Sequence, residues 1–234
     1  DPVPRVVPTE TPDLLRQAAT ETGVTLSALS GTCNLTHPDE QVRRAGVSAL
    51  HGVMDCAAQA GIGLVTLCTG SRDPADMWMA HPDNATPEAW ADMRACMAEL
   101  AEYAQTRGLH LGIEPEQANV VRNVGDALRL ATELQTDRLR VVLDPANLFE
   151  EGSPDLVRDL VDRALNQALP MLGLVHVKDR SAKGDVVAPG EGAVDFPAFF
   201  RRLQAVGYDG ALITHGIGLA DVAQTAQRMR GWLP

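Results

Sequence analysis

Residues 109–147, LHLGIEPEQANVVRNVGDALRLATELQTDRLRVVLDPAN, decide the class of this fold. The runs Leu109–Glu114 and Leu139–Asp144 are short, apolar and rich in Leu, Val and Ile, and each reads as a strand. Asn123–Gln135 between them reads as a helix. Strand, helix and strand in so short a span form a βαβ unit, the building block of a parallel sheet.

The alternation extends both ways. Toward the N-terminus lie a helix opened by Thr86 and Pro87, with a stripe of Trp90, Met93, Met97, Leu100 and Ala104 stopped by Gly108, and a strand at Gly63–Cys68. Before these come a helix at Asp39–Ala60 carrying Val42, Gly46, Leu50, Val53 and Ala57, a strand at Val24–Ser30 and a helix at Thr11–Thr22. Toward the C-terminus lie a helix at Pro154–Ala168, a strand at Met171–Val177 and a Gly-rich stretch, Gly184–Gly192, with room for one short strand. A helix at Asp195–Val206, a strand at Ala211–Thr214 and a helix from Leu219 to Trp232 follow. The fold class is α/β, of the (β/α)8 barrel type. Seven strands are legible where closure takes eight, so the missing unit is expected before residue 1. No linker, repeat or low-complexity tract divides residues 1–234, which predicts a single barrel domain.

Composition limits the partners. The 45% hydrophobic content supports a buried core, and the net charge of −11, with no Lys/Arg run, argues against nucleic acid. Cys33, Cys56, Cys68 and Cys96 lack CxxC spacing and read as free thiols in a reducing compartment. No apolar run reaches the ~20 residues that span a bilayer. Asp1-Pro2-Val3-Pro4-Arg5 lacks a signal-peptide core, so a cytoplasmic protein is expected, although a chain starting on Asp could be processed or partial.

In such barrels the chemistry collects at the C-terminal ends of the strands. Those positions hold Glu114-Pro115-Glu116, Asp144-Pro145-Ala146-Asn147, His176-Val177-Lys178-Asp179 and His215-Gly216. Oxygen and imidazole donors converging on one barrel mouth suit Mn²⁺, Zn²⁺, Fe²⁺ or Co²⁺, with Mg²⁺ as an option, better than an all-oxygen Ca²⁺ cage. Any one of these groups alone reads more simply as a polar cap on a strand end.

The motifs Leu67–Pro74, Met77-Trp78, His81-Pro82-Asp83-Asn84, Gly112–Glu116, Leu143–Leu148, His176–Asp179 and Pro189–Asp195 resemble the sugar-phosphate isomerases and epimerases of the xylose-isomerase-like superfamily. The resemblance runs from about Leu29 to the C-terminus. It implies a divalent ion held by Glu, Asp, His and Glu on four strands, with Glu114, Asp144 and His176 on the first three positions. The fourth falls on His215, a departure, and Asn147 stands where a substrate-binding His is common.

The implied reaction moves a proton beside a carbonyl of a small sugar, sugar phosphate or keto-polyol. Glu114 or Glu116 is the candidate base, His215 stands where the second acid/base Glu is implied, and Lys178 shares the side of His176 and could steady an oxyanion. In the long segment Thr69–Ala85, Arg72 is a candidate clamp for an anionic group, with Trp78 and His81 as pocket walls; His37 is a weaker pocket candidate. That loop could equally pack on itself. His110 reads as a satisfied interior histidine and His51 as structural. The alternatives are a metal-dependent lyase or dehydratase on the same fold, and a non-catalytic small-molecule-binding barrel that lost the second Glu. An exposed flank left by a missing strand would favour a homo-oligomer.

Overall fold

The computed structural model describes residues 3–233, which form two compact units meeting between Val141 and Val142. In the first unit α1 (Thr11–Thr22), β1 (Leu29–Ser30), α2 (Glu40–Ala60), β2 (Leu64–Leu67), α3 (Pro87–Arg107), β3 (His110–Ile113) and α4 (Val124–Leu134) follow one another, and β4 (Leu139–Leu143) begins. The strands are parallel neighbours in chain order, with Leu29 opposite Val65, Leu64 opposite His110 and Leu111 opposite Leu139. β1 is shorter than the predicted Val24–Ser30, and no strand precedes it among the described residues.

The parallel strands bury mainly apolar side chains, with Val65, Leu67, Leu111, Ile113 and Val141 at 1% exposure or less. Helices α2 and α3 pack on each other and on the sheet. α3 buries the expected Met93, Met97, Leu100 and Ala104. On α2 the buried stripe is Val47, Leu50, Val53, Met54 and Ala57, whereas Val42 is 43% exposed. Thr86 caps α3 as its spacing predicts: its hydroxyl accepts the Ala89 N–H at 3.2 Å, and Pro87 loses nothing at the first helical position. Gly108 ends α3 at φ 66°, a left-handed turn that glycine adopts without cost.

The second unit takes the end of β4, then α5 (Pro154–Ala168), β5 (Leu172–Val177), β6 (Asp179–Arg180), β7 (Val186–Val187), α6 (Phe196–Ala205), β8 (Leu212–Thr214) and α7 (Val222–Trp232). β5 and β8 are parallel, with His176 opposite Ile213. The Gly-rich stretch departs from expectation. Its strand, β7, pairs antiparallel with β6 in a separate hairpin, Asp179 opposite Val187. Six parallel strands are therefore described, not seven. The short turn needed after β5 explains the difference, because a hairpin needs only a tight connection while a parallel neighbour needs a crossover. Phe196 stacks on Trp232 with ring centroids 5.3 Å apart, fastening α7 to α6.

None of Cys33, Cys56, Cys68 and Cys96 is in a disulfide, as expected, and burial pushes the Cys33 thiol up to about 12. No helix among the described residues is long and apolar enough to cross a membrane.

Candidate metal centre

The centre is built on Asp144. The residue leaves β4 with extended backbone, and its Oδ1 accepts the Ala146 N–H at 2.9 Å, capping the single turn Pro145–Asn147. Only 1% of Asp144 is exposed. A buried carboxylate needs compensation, and the ends of β5 and β8 supply it. His176 lies opposite Ile213, and side chains alternate along a strand, so His176 and His215 fall on one side of the β5–β8 ladder. Lys178, two residues after His176, falls there too, as its spacing predicts.

The outcome is a ring of nitrogens on one oxygen. Asp144 Oδ2 lies 3.3 Å from His215 Nε2, 3.7 Å from Lys178 Nζ and 4.0 Å from His176 Nδ1. Lys178 also donates to Asn147 Oδ1 at 2.7 Å. The two imidazoles meet edge to face, centroids 4.4 Å apart. Burial raises the Asp144 carboxyl, but the His215 hydrogen bond and the charges of Lys178 and His176 outweigh it and hold the group below the usual range.

The donor set fits a divalent ion. Asp144, His176 and His215 each offer a ligand atom within 4.8 Å of the others. Ligands at ~2.0–2.2 Å from one ion stand roughly 3–4 Å apart, so the spacing needs little adjustment.

The first unit places the remaining candidates. Glu114 follows β3 directly, its N–H donating to Leu67 O at 3.0 Å, and is partly buried. Glu116 opens a turn instead: its N–H reaches Val121 O at 3.1 Å and its carbonyl accepts from Asn119 at 2.9 Å. Arg72 is committed within the unit, donating to Asp92 at 2.7 Å and to Thr36 O at 3.3 Å. It holds the loop rather than presenting a free fork. His81 caps the turn Pro82–Ala85 through Nδ1. His37 Nδ1 accepts the Asp39 N–H at 3.0 Å, which leaves Nε2 to carry the proton toward Pro74 O at 3.3 Å. Trp78 is 47% exposed, and with His37, Cys33, Val42 and Met77 it lines a cavity of about 480 Å³. His110 Nε2 accepts from Arg140 at 2.8 Å, and His51 stacks on Tyr103 at 4.0 Å. Both are structural, as expected.

Three amides shape the long loop, a role that the motif containing Asn84 does not announce. Asn34 accepts the Ser71 N–H at 3.1 Å, Asn84 accepts the Arg72 N–H at 2.7 Å, and Asn119 accepts the Gly70 N–H at 2.6 Å. Their signal is weak in sequence, because Asn is common in any loop.

The family model described as "Xylose isomerase-like TIM barrel" matches residues 3–233. Among curated proteins, a ketose 3-epimerase of Arthrobacter globiformis is 28% identical over 92% of this chain and 72% of its own length. A fructoselysine 3-epimerase of Escherichia coli O157:H7 is 26% identical over 76% of this chain; the match spans 61% of that enzyme. Among solved structures, an apo 3-keto-D-glucoside 4-epimerase from E. coli superposes with a TM-score of 0.76 at 20% identity, covering 95% of this chain and 84% of that one.

Proposed function

This chain belongs to the xylose isomerase-like TIM barrel family, and on that premise we propose that it is a divalent-metal-dependent epimerase of a small ketose. One observation carries the reading: two imidazoles and a lysine converge on the buried carboxylate of Asp144 at the ends of β4, β5 and β8. The ketose 3-epimerase and fructoselysine 3-epimerase relatives supply the reaction class.

In this reading Asp144, His176 and His215 hold the ion, and the resemblance of the motif Gly112–Glu116 proposes Glu114 as the base. We read residues 1–234 as a single barrel domain, a reading supported by a family model that runs from residue 3 to residue 233. A bound divalent ion would polarise the carbonyl and the neighbouring hydroxyl of the sugar. Glu114 takes the proton from the carbon beside the carbonyl, and a solvent-derived proton returns to the opposite face of that carbon, which completes the inversion. Lys178, held by Asn147, faces the oxygen on which charge develops. Glu116 shapes the turn behind Glu114.

The test is solvent exchange. Metal-loaded protein is incubated in D2O with a panel of ketopentoses, ketohexoses and fructosamines, and the proton on the carbon beside the carbonyl is followed by NMR. The expected result is deuterium at that carbon together with the epimer, both lost in Glu114→Gln. Exchange followed by loss of water would assign a dehydratase. No exchange with any member of the panel, in protein holding about one equivalent of metal, would sink the reading.

A further inference from the structure

We propose that His215 makes this centre selective for a borderline ion, Zn²⁺, Co²⁺ or Fe²⁺, over Mn²⁺ and Mg²⁺. The inference rests on the metal-centre reading above and adds the identity of the ion class. Within the second unit the donors are two ring nitrogens and one carboxylate oxygen, all within 4.8 Å of one another. Imidazole suits Zn²⁺, Co²⁺ and Fe²⁺, whereas Mg²⁺ and Mn²⁺ are better served by carboxylate, carbonyl and water.

Two further features push the same way. Lys178 stands 3.7 Å from Asp144 Oδ2, so a fixed positive charge offsets the one carboxylate of the second unit. An ion held mainly by charge loses more from that neighbour than one held by coordination to nitrogen. The side chain of His215 is 40% exposed. It can turn from the carboxylate toward an ion without taking buried apolar surface into water. His176, at 12% side-chain exposure, is the fixed donor and His215 the adjustable one.

The experiment is a competition. Chelator-dialysed protein is equilibrated with equimolar Zn²⁺ and Mn²⁺, then with Co²⁺ and Mg²⁺, and bound metal is counted by elemental mass spectrometry. The native chain is compared with His215→Glu and His215→Gln. The expected result is a Zn-to-Mn ratio that falls by about tenfold or more in His215→Glu, because an oxygen donor replaces a nitrogen. Equal ratios in native and His215→Glu would overturn the inference. A second measurement needs no variant: ring nitrogens of 15N-labelled histidines are observed by NMR with and without Zn²⁺. Two imidazoles should shift on binding; a shift confined to one would overturn it.

The outcomes separate the two readings. If no ion binds the native chain, the metal centre and this inference fall together. If an ion binds selectively and no ketose is epimerised, only the reaction falls.

Discussion

Asp144 and Asp179 both belong to the second unit, Asp144 just after β4 and Asp179 opening β6, and both are buried, at 1% and 0% exposure. They meet the cost of burial differently. Asp179 accepts backbone N–H groups from Arg180, Gly190 and Gly192 at 2.9 Å each and from Val194 at 3.2 Å. Asp144 accepts one, from Ala146, and turns its other oxygen toward His215, Lys178 and His176. For Asp179 burial prevails over the N–H groups and the carboxyl sits above its usual range; for Asp144 the side-chain nitrogens prevail and it sits below. A ring of backbone donors fixes the path of a loop and offers nothing to a cation. A ring of imidazoles compensates the same charge with groups that can themselves ligate. The first carboxylate builds shape, and the second builds a site.

The sharpest break is Asp144→Asn. The amide keeps the cap on Ala146 but removes the charge that an ion needs. Bound metal should be lost, and ketose epimerisation should fall by at least about a thousandfold. Stability in chelator should fall by about 2 kcal/mol, less than for Asp179→Asn, because His215 is 40% exposed and can rehydrate while Lys178, at 14%, keeps Asn147 Oδ1 as a partner. A stability loss as large as that of an Asp179 variant would erase the contrast.

Next in size is Asp179→Asn. One amide oxygen cannot accept four N–H groups, and its own NH2 faces donors. Denaturant unfolding should show a loss of about 3 kcal/mol, the scale of several buried donors left poorly paired. The variant should still hold about one equivalent of metal at permissive temperature; loss of metal with intact stability would move Asp179 into the site.

Gly192→Ala probes the same cradle from the loop side. A Cβ there would collide with Asp179 Oδ1 and Arg180 O. Something must shift, at a cost of about 2 kcal/mol. Thermal unfolding of Gly192→Ala alone and combined with Asp179→Asn would show non-additive losses if the two act through one contact.

The difference between these carboxylates also explains what could be read in advance. The strand-end residues Asp144, His176, Lys178 and His215 were legible because strand alternation and the barrel rule fix where such positions point, independently of loop conformation. The helices were legible from period and caps, as Thr86-Pro87 and Gly108 illustrate. Arg72 and His81 were harder, because residues in a long loop serve that loop first. Arg72 went to Asp92 and His81 to the turn it caps. The hairpin of β6 and β7 was missed for a related reason. Its decisive contact is the Asp179 carboxylate gripping Gly190, Gly192 and Val194, a tertiary interaction that no local pattern announces.

The smallest expected effect is on pH dependence, and its sign separates the pair. The Asp144 carboxyl is held below its unfolded value of about 3.9. Its contribution to stability is therefore present above that value and is lost as pH falls through the depressed folded one. The Asp179 carboxyl is raised by burial. Its contribution is complete below the unfolded value and declines as pH rises through the folded one. Unfolding free energies of native, Asp144→Asn and Asp179→Asn chains, measured in chelator from acid to neutral pH, should reveal two trends. The gap between native and Asp144→Asn should widen as pH rises from the acid end. The gap between native and Asp179→Asn should be widest in acid and narrow toward neutrality. Gaps that run in the same direction would mean that the backbone N–H groups on Asp179 outweigh its burial, and that the two carboxylates differ in their partners but not in their charge.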